Sequence, residues 1–197
     1  MWVIAGLGNP GAEYQETRHN YGFLLVDRLC RKWGVGLSRT TPHAVYEVVR
    51  RRQCEIALLK PLTYMNLSGI AIREILRALS AAPSDLIVAH DDLDLPLGAV
   101  RMRAQGGPGG HNGVSSVVEE LGTTEFGRLR LGIGPRPEDW AGRDFVLSPF
   151  EDSEVPVVQG VLDRAAAGIE TLLARGLPIA MNQVNRRPDE PDSSGEG

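Results

Sequence analysis

The chain has 197 residues, 42% of them apolar and 23% charged, which fits one globular domain and excludes wholesale disorder. The formal charge of −4 comes from the acids of residues 188–197, so the rest of the chain is balanced and leaves room for a local basic patch. No apolar run reaches the ~20 residues that span a bilayer, because Arg73, Glu74 and Arg77 interrupt the longest candidate at 70–83. The first basic residue is Arg18, so the N-terminus lacks the shape of a signal peptide. Cys30 and Cys54 make neither a disulfide framework nor a metal cage. These points predict a cytoplasmic protein that does not engage a membrane.

Trp2 to Leu7 reads as a short apolar strand, followed by the turn Gly8-Asn9-Pro10-Gly11. Apolar positions at Phe23, Leu24, Val26, Leu29 and Trp33 predict an amphipathic helix over 20–33, ended by Gly34. Residues 43–50 and 54–59 read as two strands around an Arg50-Arg51-Arg52 turn. A helix is predicted from Asn66 to Ala81, with Pro83 as its stop. A buried strand, 86–89, runs into His90-Asp91-Asp92, and 99–104 alternates as an amphipathic strand would. A glycine-rich loop at 106–113 leads into a short helix over 113–121. A strand at 128–133, a long helix at 155–173 and a helical turn at 178–185 follow. Residues 188–197 are acidic and predicted to be disordered. Alternating strands and helices predict an α/β class, as one domain over residues 1–187. The hairpin-like pair at 43–59 argues for a mixed, mostly parallel twisted sheet flanked by helices.

Several chemistries can be weighed from residue types alone. Gly6-Leu-Gly8-Asn-Pro-Gly11 fits the glycine spacing of a dinucleotide turn. However, Pro10 interrupts it, no apolar helical stripe follows, and no strand ends in an acid about 20 positions on. The turn is better read as a tight strand-to-loop connection that fixes the direction of Asn9. A metal is not expected: there is no H-x-x-x-H or Cys/His cluster, and of the three acids grouped at 91–94, Asp92 and Asp94 read more readily as loop caps or solvated charges. No G-x-S-x-G motif announces a nucleophilic serine. His43 reads as a surface residue and His90 as a satisfied structural one. What remains is a set of amides at element boundaries, Asn9, Asn66 and Asn112, with histidines and one aspartate. Amides bind a peptide or a developing oxyanion without adding charge. A histidine held by a carboxylate can deprotonate water.

Five blocks carry a resemblance. They are Gly8-Asn9-Pro10-Gly11 with Tyr14 and Thr17-Arg18-His19-Asn20, then Pro61 to Gly69, Val88 to Pro96, Gly106 to Gly113, and Arg128 to Gly134. In that order, over roughly residues 1–185, they resemble the signature of bacterial peptidyl-tRNA hydrolases. The resemblance implies hydrolysis of the ester between peptide and tRNA in N-blocked aminoacyl-tRNAs, recycling tRNA from drop-off or stalled products. It implies His19 as general base on water, Asp91 as the carboxylate orienting it, and Asn9 as the amide that tells N-blocked from free esters. Tyr14, Tyr64, Met65, Asn66, His111 and Asn112 match substrate-contacting positions. Arg103 and Arg130 match basic residues that clamp a tRNA phosphate. No cofactor is implied. The partners implied are peptidyl-tRNA and stalled large ribosomal subunits, and the protein is expected to be a monomer. Two departures stand out: Pro108 replaces a common polar residue of the glycine loop, and Tyr64 replaces a common phenylalanine. Rival readings are an RNA-binding relative without activity, a dinucleotide enzyme, and a hydrolase of smaller esters.

Overall fold

A computed structural model describes residues 1–51 and 53–186. Its seven strands are β1 (Trp2–Gly6), β2 (Arg39–Thr40), β3 (Ala44–Arg51), β4 (Cys54–Pro61), β5 (Leu86–Pro96), β6 (Val100–Arg103) and β7 (Gly127–Gly134). The six α-helices are α1 (Tyr21–Trp33), α2 (Ser68–Ala78), α3 (Asn112–Leu121), α4 (Gly142–Val146), α5 (Val155–Arg175) and α6 (Leu177–Asn185). The strands form one sheet in the order β2-β3-β4-β1-β5-β7-β6. The centre, β4-β1-β5-β7, is parallel, and the outer pairings β2-β3, β3-β4 and β6-β7 are antiparallel. This is the mixed single-domain α/β sheet expected from the hairpin at 43–59.

The alternation of strand side chains divides the core into two layers. Ile4, Ile56, Leu58, Ile87, Leu129 and Leu131 face α1, α5 and α6, where they meet Leu25, Leu29, Leu162 and Ile169. Val3, Ala5, Leu59, Leu86 and Val88 face α2 and α3, where they meet Ile72, Ile75, Val114 and Val117. No helix among the described residues is long and apolar enough to cross a membrane.

Most predicted elements are present, with instructive differences at their ends. The strand expected to stop at Ala89 continues to Pro96, because β7 offers paired register through Asp92 and again at Pro96. The helix expected from Asn66 starts at Ser68, after a 3₁₀ turn over Met65–Leu67. It ends at Ala78, and Ser80 then takes a left-handed φ of 52°. Arg51 belongs to β3, so the turn is tighter than the arginine triplet suggests. The turn expected at 178–185 is a full helix, α6, stapled to β6 by Asn185, whose Oδ1 accepts from the Met102 N–H at 2.8 Å. The acidic segment 188–197 lies outside the described residues. Strand β2 and helix α4 have no forerunner in the sequence reading. Two and five residues are too short to display a period.

The first helix is drawn unusually close to the sheet. A Cβ on Gly6 would lie 2.1 Å from the Gly22 carbonyl oxygen, and one on Gly22 would lie 2.3 Å from that of Ala89. Only side-chain-free residues permit this approach. It brings the start of α1 against the C-terminal end of β1 and against Ala89 of β5, just before Asp91.

Candidate active site

β1 and β5 are neighbours, and α1, which follows β1, and α3, which follows β5 beyond β6, cover opposite faces of the sheet. The crevice beyond their C-terminal ends is therefore a topological switch point, where α/β proteins place their sites. A cavity of about 860 Å³ opens there. His19 reaches it from a 3₁₀ turn, Arg18–Asn20, directly before α1. Asp91 reaches it from β5, and His111 from the cap position of α3.

The three side chains form one hydrogen-bonded unit. His19 Nδ1 lies 2.8 Å from Asp91 Oδ1, and His111 Nε2 lies 2.9 Å from the same oxygen. The second nitrogen of His111, Nδ1, accepts the backbone N–H groups of Gly113 at 3.1 Å and Val114 at 3.3 Å. Its proton therefore sits on Nε2 and is donated to Asp91. An ionised carboxylate only accepts, so His19 donates from Nδ1 as well. That leaves the Nε2 lone pair of His19, which has no hydrogen-bond partner among the described residues, on a ring that borders the cavity.

Burial of Asp91 opposes its ionisation, but the charges and hydrogen bonds of His111 and His19 outweigh it and hold the carboxyl well below its usual range. His90, one residue earlier, goes the other way. Burial and the neighbouring His111 lower its pKa to about 3, so it is neutral, and its Nδ1 donates to the Asp91 carbonyl at 2.7 Å. It packs edge-on against His111, with ring centroids 4.7 Å apart. This is the structural role the sequence suggested. His43 is half exposed and bonds Glu74 at the surface. His19, Asp91 and His111 also lie close enough to share a metal ion. The geometry of His111 opposes that use. Its metal-facing nitrogen carries the proton, and the other is committed to two backbone donors.

Asn9 sits at the back of the cavity, 8% exposed. Its backbone is gripped by Asn20, whose Oδ1 accepts from the Asn9 N–H at 2.8 Å and whose Nδ2 donates to the Asn9 carbonyl at 3.0 Å. The Asn9 Oδ1 accepts the Met65 N–H at 2.8 Å. Only the Nδ2 donors remain for the cavity. The amide thus presents N–H to a ligand carbonyl, a polarity set by Met65. Tyr14, Tyr64, Met65, Asn66, His111 and Asn112 all line the same cavity. His111 spends both nitrogens on the protein, so the cavity sees only its ring.

Sequence reading missed other parts of the wall. Leu93 also lines the cavity, and Arg143, Val146 and Leu147 line the side formed by α4 and the residue after it. Arg18 fastens that side to the site. It is 4% exposed, pairs with both oxygens of Glu154 at 3.1 and 2.6 Å, and donates from Nε to Ser148 Oγ at 3.3 Å. Its guanidinium lies between the rings of Phe145 at 4.6 Å and Phe150 at 4.9 Å. Asn20 and Arg18 flank His19 in sequence. That adjacency was the available signal, but the partners lie as far as 136 residues away.

Arg103 and Arg130 do not line the cavity. They share the face of the β6-β7 pair opposite Met102 and Leu129. Arg130 stands across from Arg101, and Arg103 across from Arg128. Arg103 and Arg130 are thus diagonal neighbours, with roughly 7–8 Å between Cα positions. Arg128 is buried, donates to the Gly106 carbonyl at 2.7 Å, and ties down the start of the glycine loop.

The chain was compared with known proteins. The peptidyl-tRNA hydrolase family model matches residues 3–192. A peptidyl-tRNA hydrolase of Koribacter versatilis is 44% identical over 197 residues, covering 100% of this chain and 98% of the relative. That of Bacillus subtilis is 40% identical and covers 95% and 100%. The crystal structure of peptidyl-tRNA hydrolase from Acinetobacter baumannii superposes with a TM-score of 0.88 at 36% identity, covering 94% of each chain. With a cavity that gathers His19, Asp91 and three asparagines, and a match over nearly every residue, the chain belongs to the peptidyl-tRNA hydrolase family.

Proposed function

We propose that this protein hydrolyses the ester that joins a peptide to the ribose of tRNA, and so recycles tRNA from drop-off or stalled translation products in the cytoplasm. The observation that carries the reading is the 2.8 Å bond from His19 Nδ1 to Asp91. It leaves a lone pair of an oriented imidazole beside the cavity. Neutral His19 takes a proton from water through Nε2 as the water attacks the ester carbonyl. Asp91 stabilises the imidazolium that forms, following the logic of the serine-protease triad. His111 holds Asp91 from the other side without competing for the proton. An ester is already activated, so neither a metal nor a covalent nucleophile is needed. The Asn9 Nδ2 donors supply the N–H that meets a substrate carbonyl, and this favours N-blocked substrates that carry a peptide carbonyl over free aminoacyl esters. Asn66 and Asn112 add neutral donors on the same wall. Tyr14, Tyr64 and Met65 offer aromatic and apolar surface to the substrate's end. Arg103 and Arg130 take a tRNA phosphate outside the cavity. The protein works as a monomer, on free peptidyl-tRNA and on that held by stalled large ribosomal subunits.

The test is release of tRNA from N-acetyl-aminoacyl-tRNA by the wild type and by His19→Ala. Turnover by the wild type and its collapse in the variant are expected. A variant that turns over at the wild-type rate overturns the assignment of the base. A wild type that binds tRNA without releasing it makes the protein a pure binder. Cleavage of a free nucleoside ester as fast as the tRNA ester removes the role given to the arginines.

A further inference from the structure

Asp92 follows Asp91 in β5, yet alternation turns its side chain to the other face of the sheet. There its Oδ2 accepts from Nε of Arg130 at 2.5 Å. Its Oδ1 accepts the backbone N–H of Asp94 at 2.9 Å, so the carboxylate is itself held in one orientation. Both partners are largely shielded, with side-chain exposures of 11% for Asp92 and 17% for Arg130. The strand register crowds cations around this pair: Arg101 lies directly across from Arg130, and Arg103 lies diagonal to it on the same face. Like charges at such positions repel. Asp92 supplies the anion that lets the guanidinium of Arg130 stay among them. It uses only Nε. The two terminal nitrogens of Arg130 have no partner among the described residues, and a planar fork fixed at its inner nitrogen is pre-set for a bidentate phosphate.

We propose that Asp92 is a positioning residue for the tRNA phosphate: by holding Nε of Arg130 it aims the terminal nitrogens of that arginine at the phosphate, with Arg103 as the second arm. The inference rests on the reading of Arg103 and Arg130 as the phosphate-binding pair. Asp92 also borders the cavity, so one strand end carries both the carboxylate that orients the base and the one that orients the anchor.

A surface charge with no positioning role makes the opposite prediction. Removing an acid would then strengthen binding of a polyanion. The experiment measures KM and its salt dependence for N-acetyl-aminoacyl-tRNA with Asp92→Asn, Asp92→Glu, Arg130→Gln and the Asp92→Asn, Arg130→Gln double variant. Arg130→Gln should raise KM and reduce the log–log salt slope by about 0.9, one lost phosphate contact. Asp92→Asn should raise KM several-fold and flatten the slope part of the way. The double variant should be no worse than Arg130→Gln alone, and Asp92→Glu should recover most of the loss. A lowered or unchanged KM in Asp92→Asn, beside a raised one in Arg130→Gln, overturns the inference and leaves the phosphate reading standing. An unchanged salt slope in Arg130→Gln overturns the phosphate reading and the inference with it. A thermal midpoint near that of the wild type in Asp92→Asn, together with the recovery by glutamate, separates aiming from misfolding.

Discussion

Around Asp91, one carboxylate oxygen receives two imidazole N–H groups, and the cavity beyond is lined by neutral asparagines. On the β6-β7 face, Arg101 and Arg103 stand across from and diagonal to Arg130, which pairs with Asp92 of β5. In the first region the carboxylate is buried and held by two named partners. The second keeps guanidinium nitrogens unspent. On the proposed reading, chemistry and attachment are divided between two electrostatic regimes. A reaction that develops charge gains from fixed partners in a shielded site. A polyanion gains from cations that retain unused donors. If the division is real, damage to the first should appear in kcat and damage to the second in KM and salt dependence.

The largest expected effect is at the base. His19→Ala should lower kcat by ~10²–10⁴-fold with KM little changed, measured as single-turnover release of tRNA. Asp91→Asn should fall in the same range, because an amide can no longer accept both imidazole N–H groups as a charge does. A kcat loss confined to Arg103→Gln instead would erase the comparison. Next, Arg103→Gln should raise KM and reduce the salt slope by about 0.9, with kcat near the wild-type value, in titrations from low to moderate salt. Smaller is the cost at the helix cap beside Asp91. His111→Ala removes the cap of α3 and should destabilise the protein by about 0.5–2 kcal/mol in urea unfolding. The subtlest effect concerns His90. Its folded pKa of about 3 lies below the ordinary 6.5, so between those values the unfolded chain binds a proton that the native protein refuses. Stability should therefore fall as pH drops from 6.5 towards 3, and Asp91, held below its usual range, adds a loss in the same direction at the acid end. His90→Gln should flatten the part above pH 4. An unchanged slope there would assign the acid sensitivity to other groups.

How much of this was legible in the letters depended on range. Helix α1 and its Gly34 stop were readable because periodicity and a left-handed cap are local. His19, Asp91 and the asparagines were readable as a set through the family blocks, and as residue types suited to ester hydrolysis. Their convergence was not, because His19 and Asp91 are 72 residues apart and meet only where two parallel strands end. His111 shows the limit plainly. A histidine in a glycine loop announces nothing about which nitrogen carries the proton. That follows from two backbone N–H groups of the helix it caps. Likewise Gly6 and Gly8 imitate a dinucleotide turn in spacing, whereas Gly6 is explained by its contact with α1. Asp92 looked like a solvated charge because its partner, Arg130, lies on another strand.

The grip of Arg18 has a consequence for anything that enters the cavity. The wall carrying Arg143, Val146 and Leu147 is bolted, through Phe145, Ser148 and Phe150, to the residue immediately preceding His19. On the proposed reading, a guest bulky enough to wedge this wall outward would drag on the proton acceptor next door, so that crowding by an ill-fitting peptide would surface as misalignment of the base.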